Sequence, residues 1–314
     1  MSFSIAEAFA PATVANLGVG FDILGLALPA PGDIVVARRR TQPGLTITKI
    51  TGDHGKLPLD PSKNTASVAA MKVLQLANRL EVGIELEIHK GLPLGSGLGS
   101  SAASAVAGAV ATNALLGEPL TRQDLLEPAL DGEALVAGRH PDNVGPCLFG
   151  GITLFTRADI GGLRTLPIPS DLHLALVTPK VEVTTAQARA VLPPTIPLRA
   201  LVHQTGQVAS LIDALYRGDV PALAQAMSSD HIVEPARKHL MPFFDEVRQF
   251  ALQHGALSVT IGGAGPTLLA VCHRADDAKT VAQAMSDAYQ QRGIANLAHH
   301  CQVSLQGAVV TNFQ

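Results

Sequence analysis

The chain has 314 residues, 47% of them hydrophobic and 16% charged, so it can bury a large core and is not expected to be disordered. Its net charge of −3 gives no general electrostatic case for binding nucleic acid or an anionic membrane surface. The N-terminus lacks the basic flank of a secretory signal, and no apolar run reaches the roughly 18 residues that a membrane span needs. The 3 cysteines are scattered outside any metal-type spacing, which indicates reduced thiols in a cytoplasmic protein.

The first half of the chain mixes predicted strands and helices. Asn64 is a typical helix cap, and apolar residues at helical spacing follow it as far as Leu80. Residues 83–91 alternate strictly between apolar and polar, which predicts a half-buried strand. The other elements predicted here are strands at 2–9, 33–39, 45–50 and 151–156, a helix at 121–137 and a turn at 140–146.

The Pro- and Gly-rich segment 161–171 is the best candidate for a domain boundary. Because strands and helices follow one another without the even βα rhythm of a barrel, the pattern favours an α+β fold. The elements predicted beyond the boundary are strands at 173–178, 257–272 (interrupted by glycines) and 302–311, and helices at 184–191, 199–216, 240–254 and 275–291.

A loop rich in glycine and serine, 93-PLGSGLGSSAA-103, connects the strand at 83–91 to the next helix. Gly95, Gly97 and Gly99 let backbone N–H groups turn toward one point, and the helix start adds further unpaired N–H groups. Such a cradle suits a phosphate group. The residues predicted to bind a nucleotide here are Pro93, Leu94, Gly95, Ser96, Gly97, Leu98, Gly99, Ser100, Ser101, Ala102 and Ala103.

Other known templates fit this loop less well. A Walker A loop needs Gly-Lys-Ser/Thr at its end, but Ser100 follows Gly99 here. The dinucleotide-binding fingerprint does not match, because Ser100 stands where its third glycine belongs. The nucleophile-elbow motif does not match either, because Ala103 stands where that motif ends in glycine. A tight turn that only lets a small-residue helix pack closely is the structural alternative.

Three segments in order resemble the motifs of the GHMP kinase superfamily. They are the glycine loop, 10-APATVANLGVGFDILGLAL-28 and 260-TIGGAGPTLLAV-271. Residues 140–151, 183–193 and 234–242 make the sequence most similar to the homoserine kinase branch.

This resemblance implies a two-domain fold. The N-terminal part, predicted as residues 1–165, is expected to resemble the second domain of ribosomal protein S5. The C-terminal part, residues 166–314, is expected to be ferredoxin-like. The implied activity is transfer of the ATP γ-phosphoryl group to the side-chain hydroxyl of L-homoserine, on the route to threonine.

The resemblance also implies the substrate site. Arg189 and Arg237 correspond to the arginines that hold the substrate carboxylate. Asn16, Asp22 and Asp142 correspond to residues that hold the ammonium and hydroxyl groups, with their division of roles open. His140 corresponds to a substrate-site histidine.

The remaining implied roles concern the metal, the nucleotide and the reaction. Ser101 and Glu133 correspond to ligands of Mg²⁺, and Asn64 and Lys90 border the nucleotide. The homoserine branch lacks the aspartate base of other superfamily members, so Asn143, which orients the reacting hydroxyl, is a candidate catalytic residue together with Asp22 and Asp142. A homodimer is a further expectation.

Two alternatives stay open. One is a GHMP kinase for another small alcohol such as mevalonate, which has no amine and would leave the acidic positions unexplained. The other is a nucleotide-binding regulator that keeps the fold without catalysis.

Overall fold

The computed structural model describes residues 3–136, 138–156 and 162–314. Residues 2, 137 and 161, which belong to the predicted first strand, the predicted helix 121–137 and the predicted boundary, lie outside these ranges. The strands are β1 (Ile5–Ala15), β2 (Leu24–Arg40), β3 (Gly44–Thr51), β4 (Gly83–His89), β5 (Ile152–Phe155), β6 (Leu163–Leu166), β7 (His173–Pro179), β8 (Ser258–Ile261), β9 (Leu268–Cys272), β10 (Asn296–Cys301) and β11 (Val309–Phe313). The helices are α1 (Thr65–Leu76), α2 (Ser100–Leu115), α3 (Leu126–Glu133), α4 (Pro141–Phe149), α5 (Thr185–Ala190), α6 (Leu198–Arg217), α7 (Val220–Met227), α8 (Val233–Arg237), α9 (Phe244–Gln253) and α10 (Ala275–Gln290).

Two sheets organise the fold. The first has the order β11-β1-β2-β4-β3, with β5 joined to β2 and β6 to β5, and only its β3–β4 pair is parallel. The second is antiparallel with the order β10-β7-β9-β8, which is the ferredoxin-like arrangement that the resemblance implied. The expected mixture of strands and helices is confirmed, whereas the division at residues 165 and 166 stays a prediction.

Strands β7, β8 and β9 of the second sheet are buried on both faces, whereas the edge strand β10 is largely exposed. Along β7, Leu174 and Leu176 pack into the same core as α2, whereas Ala175 and Val177 face a second core formed with α9 and α10. This strict alternation joins the two halves of the chain, because each face of one strand belongs to a different core. In the described part of the chain, no helix combines the length and apolar character needed to cross a membrane.

Several element predictions are confirmed in position. Asn64 caps α1 by accepting from the Ala66 N–H at 3.1 Å. Ile84, Leu86 and Ile88 of β4 are buried, as the alternation predicted. The strands predicted at 2–9 and 33–39 are parts of the longer β1 and β2.

Other element predictions are wrong, and each has a local cause. The predicted turn at 140–146 is the start of α4, because Pro141 occupies the first helical turn, where a missing N–H is tolerated. The helix predicted at 121–137 begins only at Leu126, because Asp124 accepts from both the N–H and the hydroxyl of Thr121 and closes a turn.

The strand predicted at 302–311 is also wrong. The chain leaves the second sheet at Cys301 and enters the first sheet only at Val309, so most of this segment is a connection. Its Gly307 passes so close to α4 that an added Cβ would lie 2.3 Å from Leu148 O. Helices α7 and α8 were not predicted.

Helix α2 is buried along nearly its whole length, which explains its small residues. At Gly108 the helix touches α1 so closely that an added Cβ would lie 2.4 Å from Ala66 O. A backbone carbonyl cannot move aside as a side chain can, so this contact requires glycine.

We expect Gly108→Ala to lower the free energy of unfolding by about 1–3 kcal/mol through overpacking. The matched control is Gly206→Ala on exposed α6, where an added Cβ meets nothing within 4 Å. There the loss of backbone freedom in the unfolded chain should stabilise by about 0.5–1 kcal/mol. Urea denaturation checks both, and equal effects would contradict the packing argument.

Candidate active site

The glycine-rich loop is held to the second half of the chain through its carbonyl groups. Gly95 O accepts from the Val183 N–H at 3.2 Å. Ser96 O accepts from both the N–H and the hydroxyl of Thr267, at 3.1 Å and 2.6 Å. The loop conformation is therefore fixed by strands and turns outside it.

The same loop is tied to β1, because Leu98 O accepts from the Thr13 N–H at 3.1 Å. Within the described residues, none of the N–H groups of residues 95–101 has a protein acceptor. Gly99, with φ +67°, leads these groups into the start of α2. Bound carbonyls and free amides together leave a group of unpaired N–H donors at a helix N-terminus, an arrangement that suits an anion.

Close packing also requires glycine in this loop. At Gly97, with φ +78°, an added Cβ would lie 2.4 Å from Gly262 O and 2.8 Å from Gly265 O. At this point the third motif approaches the loop through backbone atoms, in addition to the hydrogen bond that the Thr267 hydroxyl donates to Ser96 O. The same glycines therefore serve both explanations of the loop, close packing and a phosphate-binding conformation.

Lys90 supports the loop from within the protein. Its ammonium is paired with the buried carboxylate of Asp33, and it donates to Ser100 O and Ser104 Oγ, both at 2.8 Å. The lysine side chain is 1% exposed. Its three N–H donors are thus used by protein groups that fix the start of α2, so its role toward the nucleotide stays a prediction.

Ser101 and Glu133 meet across α2 and α3, where the Ser101 hydroxyl donates to Glu133 Oε1 at 3.0 Å. The other carboxylate oxygen, Oε2, is buried and has no partner among the residues that the structure describes. Burial raises the pKa of Glu133 to about 8, against the opposing hydrogen bond from Ser101. A hydroxyl and a carboxylate with an unused oxygen suit a hard cation such as Mg²⁺.

The opposite end of the cavity carries a network built on the first motif. Asn16 donates to Gly263 O at 2.9 Å and accepts from the Asp22 N–H at 3.1 Å. The Asp22 carboxylate receives a fork from Arg189, with N–O distances of 2.7 Å and 3.2 Å. His140 Nδ1 lies 3.8 Å from the same carboxylate. The structure thus joins Asp22 to Arg189, which the sequence assigned to different substrate groups.

Both arginines lie over the Phe21 ring, with guanidinium carbons 5.4 Å (Arg189) and 5.1 Å (Arg237) from its centroid. Arg237 is buried and donates to Ala188 O and Gly263 O. Burial and the neighbouring Arg189 lower the pKa of Arg237 to about 10, so it remains charged at neutral pH. Two positive charges converge on one point, as a carboxylate site requires.

Asp142 and Asn143 occupy the first turn of α4. Asp142 is buried, and within the described ranges its Oδ1 has no hydrogen-bond partner. Burial, and to a smaller degree the charge of Asp22, raises the pKa of Asp142 to about 7, although Arg189 opposes the shift. Asn143 Oδ1 accepts from the Thr13 hydroxyl at 2.8 Å.

Nearly all of the predicted site residues line one cavity of about 380 Å³. Those that do not are Pro93, Leu98, Ala102 and Ala103. Of these, Leu98, Ala102 and Ala103 are buried in the first core, so their side chains contribute packing.

Sequence reasoning missed several residues of this site. Asp33 had one signal, because an acidic residue at the start of a strongly apolar strand needs a buried partner. Thr13 and Phe21 lie inside the first motif, but nothing in their spacing indicates what they contact. Lys56 and Glu182, paired at 2.8 Å, line the cavity from opposite halves of the chain.

Comparison with known proteins adds independent evidence. Residues 64–151 match the family model for the GHMP kinases N terminal domain, and residues 211–291 match GHMP kinases C terminal. A homoserine kinase from Arabidopsis thaliana is 42% identical over 298 residues, which is 93% of this chain and 80% of the relative. The chain belongs to the homoserine kinase family of the GHMP kinases.

Solved structures agree with this membership. The crystal structure of homoserine kinase from Cytophaga hutchinsonii matches with a TM-score of 0.94 and 43% identity, covering 98% of this chain and 97% of that one. A structure of L. major mevalonate kinase in complex with R-mevalonate matches with a TM-score of 0.68 at 18% identity, covering 94% of this chain and 95% of that one. The second likeness shows the shared fold alone. In this chain, residues of all three motifs quoted above line one cavity.

The buried Asp142 carboxyl should lower stability as pH rises. A carboxyl with a raised pKa keeps a proton that the unfolded chain has lost, so the free energy of unfolding falls between pH 3.8 and about 7. We expect Asp142→Asn to stabilise the protein at pH 8 by on the order of 2 kcal/mol and to change little at pH 4. Denaturant unfolding at both pH values measures this difference.

The matched control is Asp245→Asn, whose carboxylate is 67% exposed and should show no comparable effect. A destabilised Asp142→Asn at pH 8 would mean that the ionised carboxylate is already well stabilised by the protein.

Proposed function

We propose that this protein is a homoserine kinase that uses Mg²⁺ with ATP and transfers the γ-phosphoryl group to the side-chain hydroxyl of L-homoserine. The observation that carries the proposal is one cavity with two chemically different ends. Unpaired loop amides form one end, and a cluster of two arginines with buried Asp142 forms the other. An amino acid with a terminal hydroxyl would place its charged groups at the arginine end and its hydroxyl toward the loop amides, as transfer of a phosphoryl group requires.

The arginine end accounts for recognition of both charged groups of the amino acid. Arg189 and Arg237 supply donors for a carboxylate, each charge-assisted bond being worth about 1.5–3 kcal/mol. Asp142 presents an oxygen without a protein partner, which suits an ammonium donor. The Asp22 carboxylate pairs with the Arg189 guanidinium when the substrate is absent. When the substrate is bound, the guanidinium can interact with both Asp22 and the substrate carboxylate.

Residues 95–101 and α2 hold the phosphates of ATP in this proposal. Ser101 and Glu133 would hold Mg²⁺, because a hydroxyl and a carboxylate whose Oε2 is unpaired among the described residues are oxygen ligands of the kind this ion takes. Mg²⁺ commonly takes one or two protein ligands and completes its shell with phosphates and water. Bound there, the ion supplies neutralisation of phosphate charge.

The protein contributes mainly orientation to the chemical step. The homoserine oxygen forms a bond to the γ-phosphorus, the bond to the bridging oxygen of ADP breaks, and the hydroxyl proton passes to an oxygen of the transferred group. Asn143 lies beside Gly99, between the two ends, and its carboxamide has no basicity at neutral pH. We therefore assign it to aligning the hydroxyl, with rate arising from positioning and electrostatics.

A kinase for mevalonate is the second candidate, supported by the shared fold. Mevalonate has a carboxylate for the arginines but no ammonium for Asp142. Bound mevalonate would leave the buried carboxylate of Asp142 without a partner, which is unfavourable. The site should therefore discriminate strongly against mevalonate. We also propose a cytoplasmic location, a homodimer and, because a net charge of −3 gives no general attraction for polyanions, no nucleic-acid or membrane partner.

The deciding experiment is a coupled assay of ADP release with L-homoserine, mevalonate and 1-butanol, each with and without Mg²⁺. We expect Mg²⁺-dependent turnover of homoserine, with kcat/KM at least about 10⁴-fold above that for butanol, because butanol leaves the polar groups unpaired. Preferred turnover of mevalonate would support the second candidate. ATP binding by folded protein without turnover of any alcohol would support the non-catalytic alternative.

A further inference from the structure

The Thr13 side chain is completely buried outside the cavity lining, where it contacts Asn143, a residue that does line the cavity. It lies on β1, where the strand register shifts between Pro11 and Thr13, and it is 0% exposed. Its N–H donates to Leu98 O in the glycine loop at 3.1 Å, and its hydroxyl contacts Asn143 Oδ1 on α4 at 2.8 Å. One residue thus touches both the phosphate cradle and the side chain assigned to the reacting hydroxyl.

The direction of this hydrogen bond follows from burial. Asn143 is the only partner of the Thr13 hydroxyl in the described part of the chain. If the hydroxyl only accepted from the amide, its own proton would be buried without an acceptor, which costs about 1–3 kcal/mol. The hydroxyl therefore donates to Oδ1, and the Asn143 NH₂ group is turned away from Thr13.

Gly99 makes this contact sterically possible. A Cβ at position 99 would lie 2.1 Å from Thr13 Oγ1 and 2.9 Å from Asn143 Oδ1. The glycine leaves the space in which the hydroxyl and the carboxamide meet. The glycine-rich loop, β1 and α4 therefore all meet at this hydrogen bond.

We propose that Thr13 is a positioning residue for phosphoryl transfer: its hydroxyl fixes the Asn143 carboxamide so that the NH₂ group faces the reacting oxygens. The inference rests on the proposed function. With its oxygen occupied by Thr13, Asn143 acts as a hydrogen-bond donor in the cavity and not as a proton acceptor. Donors fixed in advance stabilise the charge on transferring phosphoryl oxygens without reorganising during the reaction.

The test compares Thr13→Val, Thr13→Ser and the control Thr153→Val. Thr153 is also 0% exposed, and its hydroxyl has no hydrogen-bond partner in the part of the chain that the structure describes, so the control makes the same substitution without breaking a known bond. We expect Thr13→Val to lower kcat about 10- to 100-fold, with KM for homoserine and ATP changed less than about 3-fold. Thr13→Ser should recover most of the loss, and Thr153→Val should leave kcat unchanged.

A double-mutant cycle with Asn143→Ala tests whether Thr13→Val lowers kcat through Asn143. If Thr13 acts through Asn143, Thr13→Val should have almost no further effect on kcat in the Asn143→Ala background. Independent, multiplicative losses would overturn the proposal, as would a Thr13→Val variant with the kcat of Thr153→Val.

A neutron crystal structure of Thr13→Val, which distinguishes the carboxamide oxygen from the NH₂ group, gives a readout that does not need turnover. We expect the Asn143 carboxamide to leave its orientation in Thr13→Val and to keep it in Thr13→Ser. An unchanged carboxamide would overturn the proposal even if activity falls. Wild-type protein without homoserine-dependent ADP release would instead refute the proposed function, while the structural comparison would still decide the role of Thr13.

Discussion

The site depends on a loop whose carbonyl groups are bound from several sides while its amides are left free. Strand β1 binds Leu98 O, and Thr267 binds Ser96 O from the second half of the chain. Thr267 is itself held by Thr178, at 2.7 Å between the hydroxyl oxygens. A flexible glycine loop would lose much entropy on ordering around phosphate, and these bonds impose that order during folding.

Buried charge is the second feature of the site, and it is used in two ways. The Lys90–Asp33 pair is complete, with every lysine donor used, and it fixes the helix start that forms the cradle. Glu133 and Asp142 are not fully paired, since each has a buried carboxylate oxygen without a partner among the described residues. Complete pairs give rigidity, whereas incomplete ones are unfavourable in the free protein and are typical of positions that bind a cation or ammonium.

The sequence predicted the position of the site better than its internal contacts. The glycine spacing, the strand before it and the helix after it are local patterns, so the loop could be identified from the residues alone. The pairings Thr13–Asn143, Asp33–Lys90 and Asp22–Arg189 join residues between 57 and 167 positions apart. Such contacts are decided by how strands are ordered in the sheets, which periodicity does not reveal.

The same limit explains the errors in secondary structure. The α4 helix begins with Pro and Asp, which favour turns as much as helix starts, and burial against β1 and β2 decided between them. The segment 302–308 has apolar residues in a strand-like pattern but connects two sheets. In both places, packing against the rest of the protein decided the secondary structure, against the preference of the local sequence.

A crystal structure with a non-hydrolysable ATP analogue and L-homoserine tests the central claim most directly. The account predicts phosphate oxygens within hydrogen-bond distance of the N–H groups of residues 95–101, with the homoserine carboxylate at the arginines and its hydroxyl toward the outermost phosphate. A triphosphate bound elsewhere, with these amides facing solvent, would contradict it.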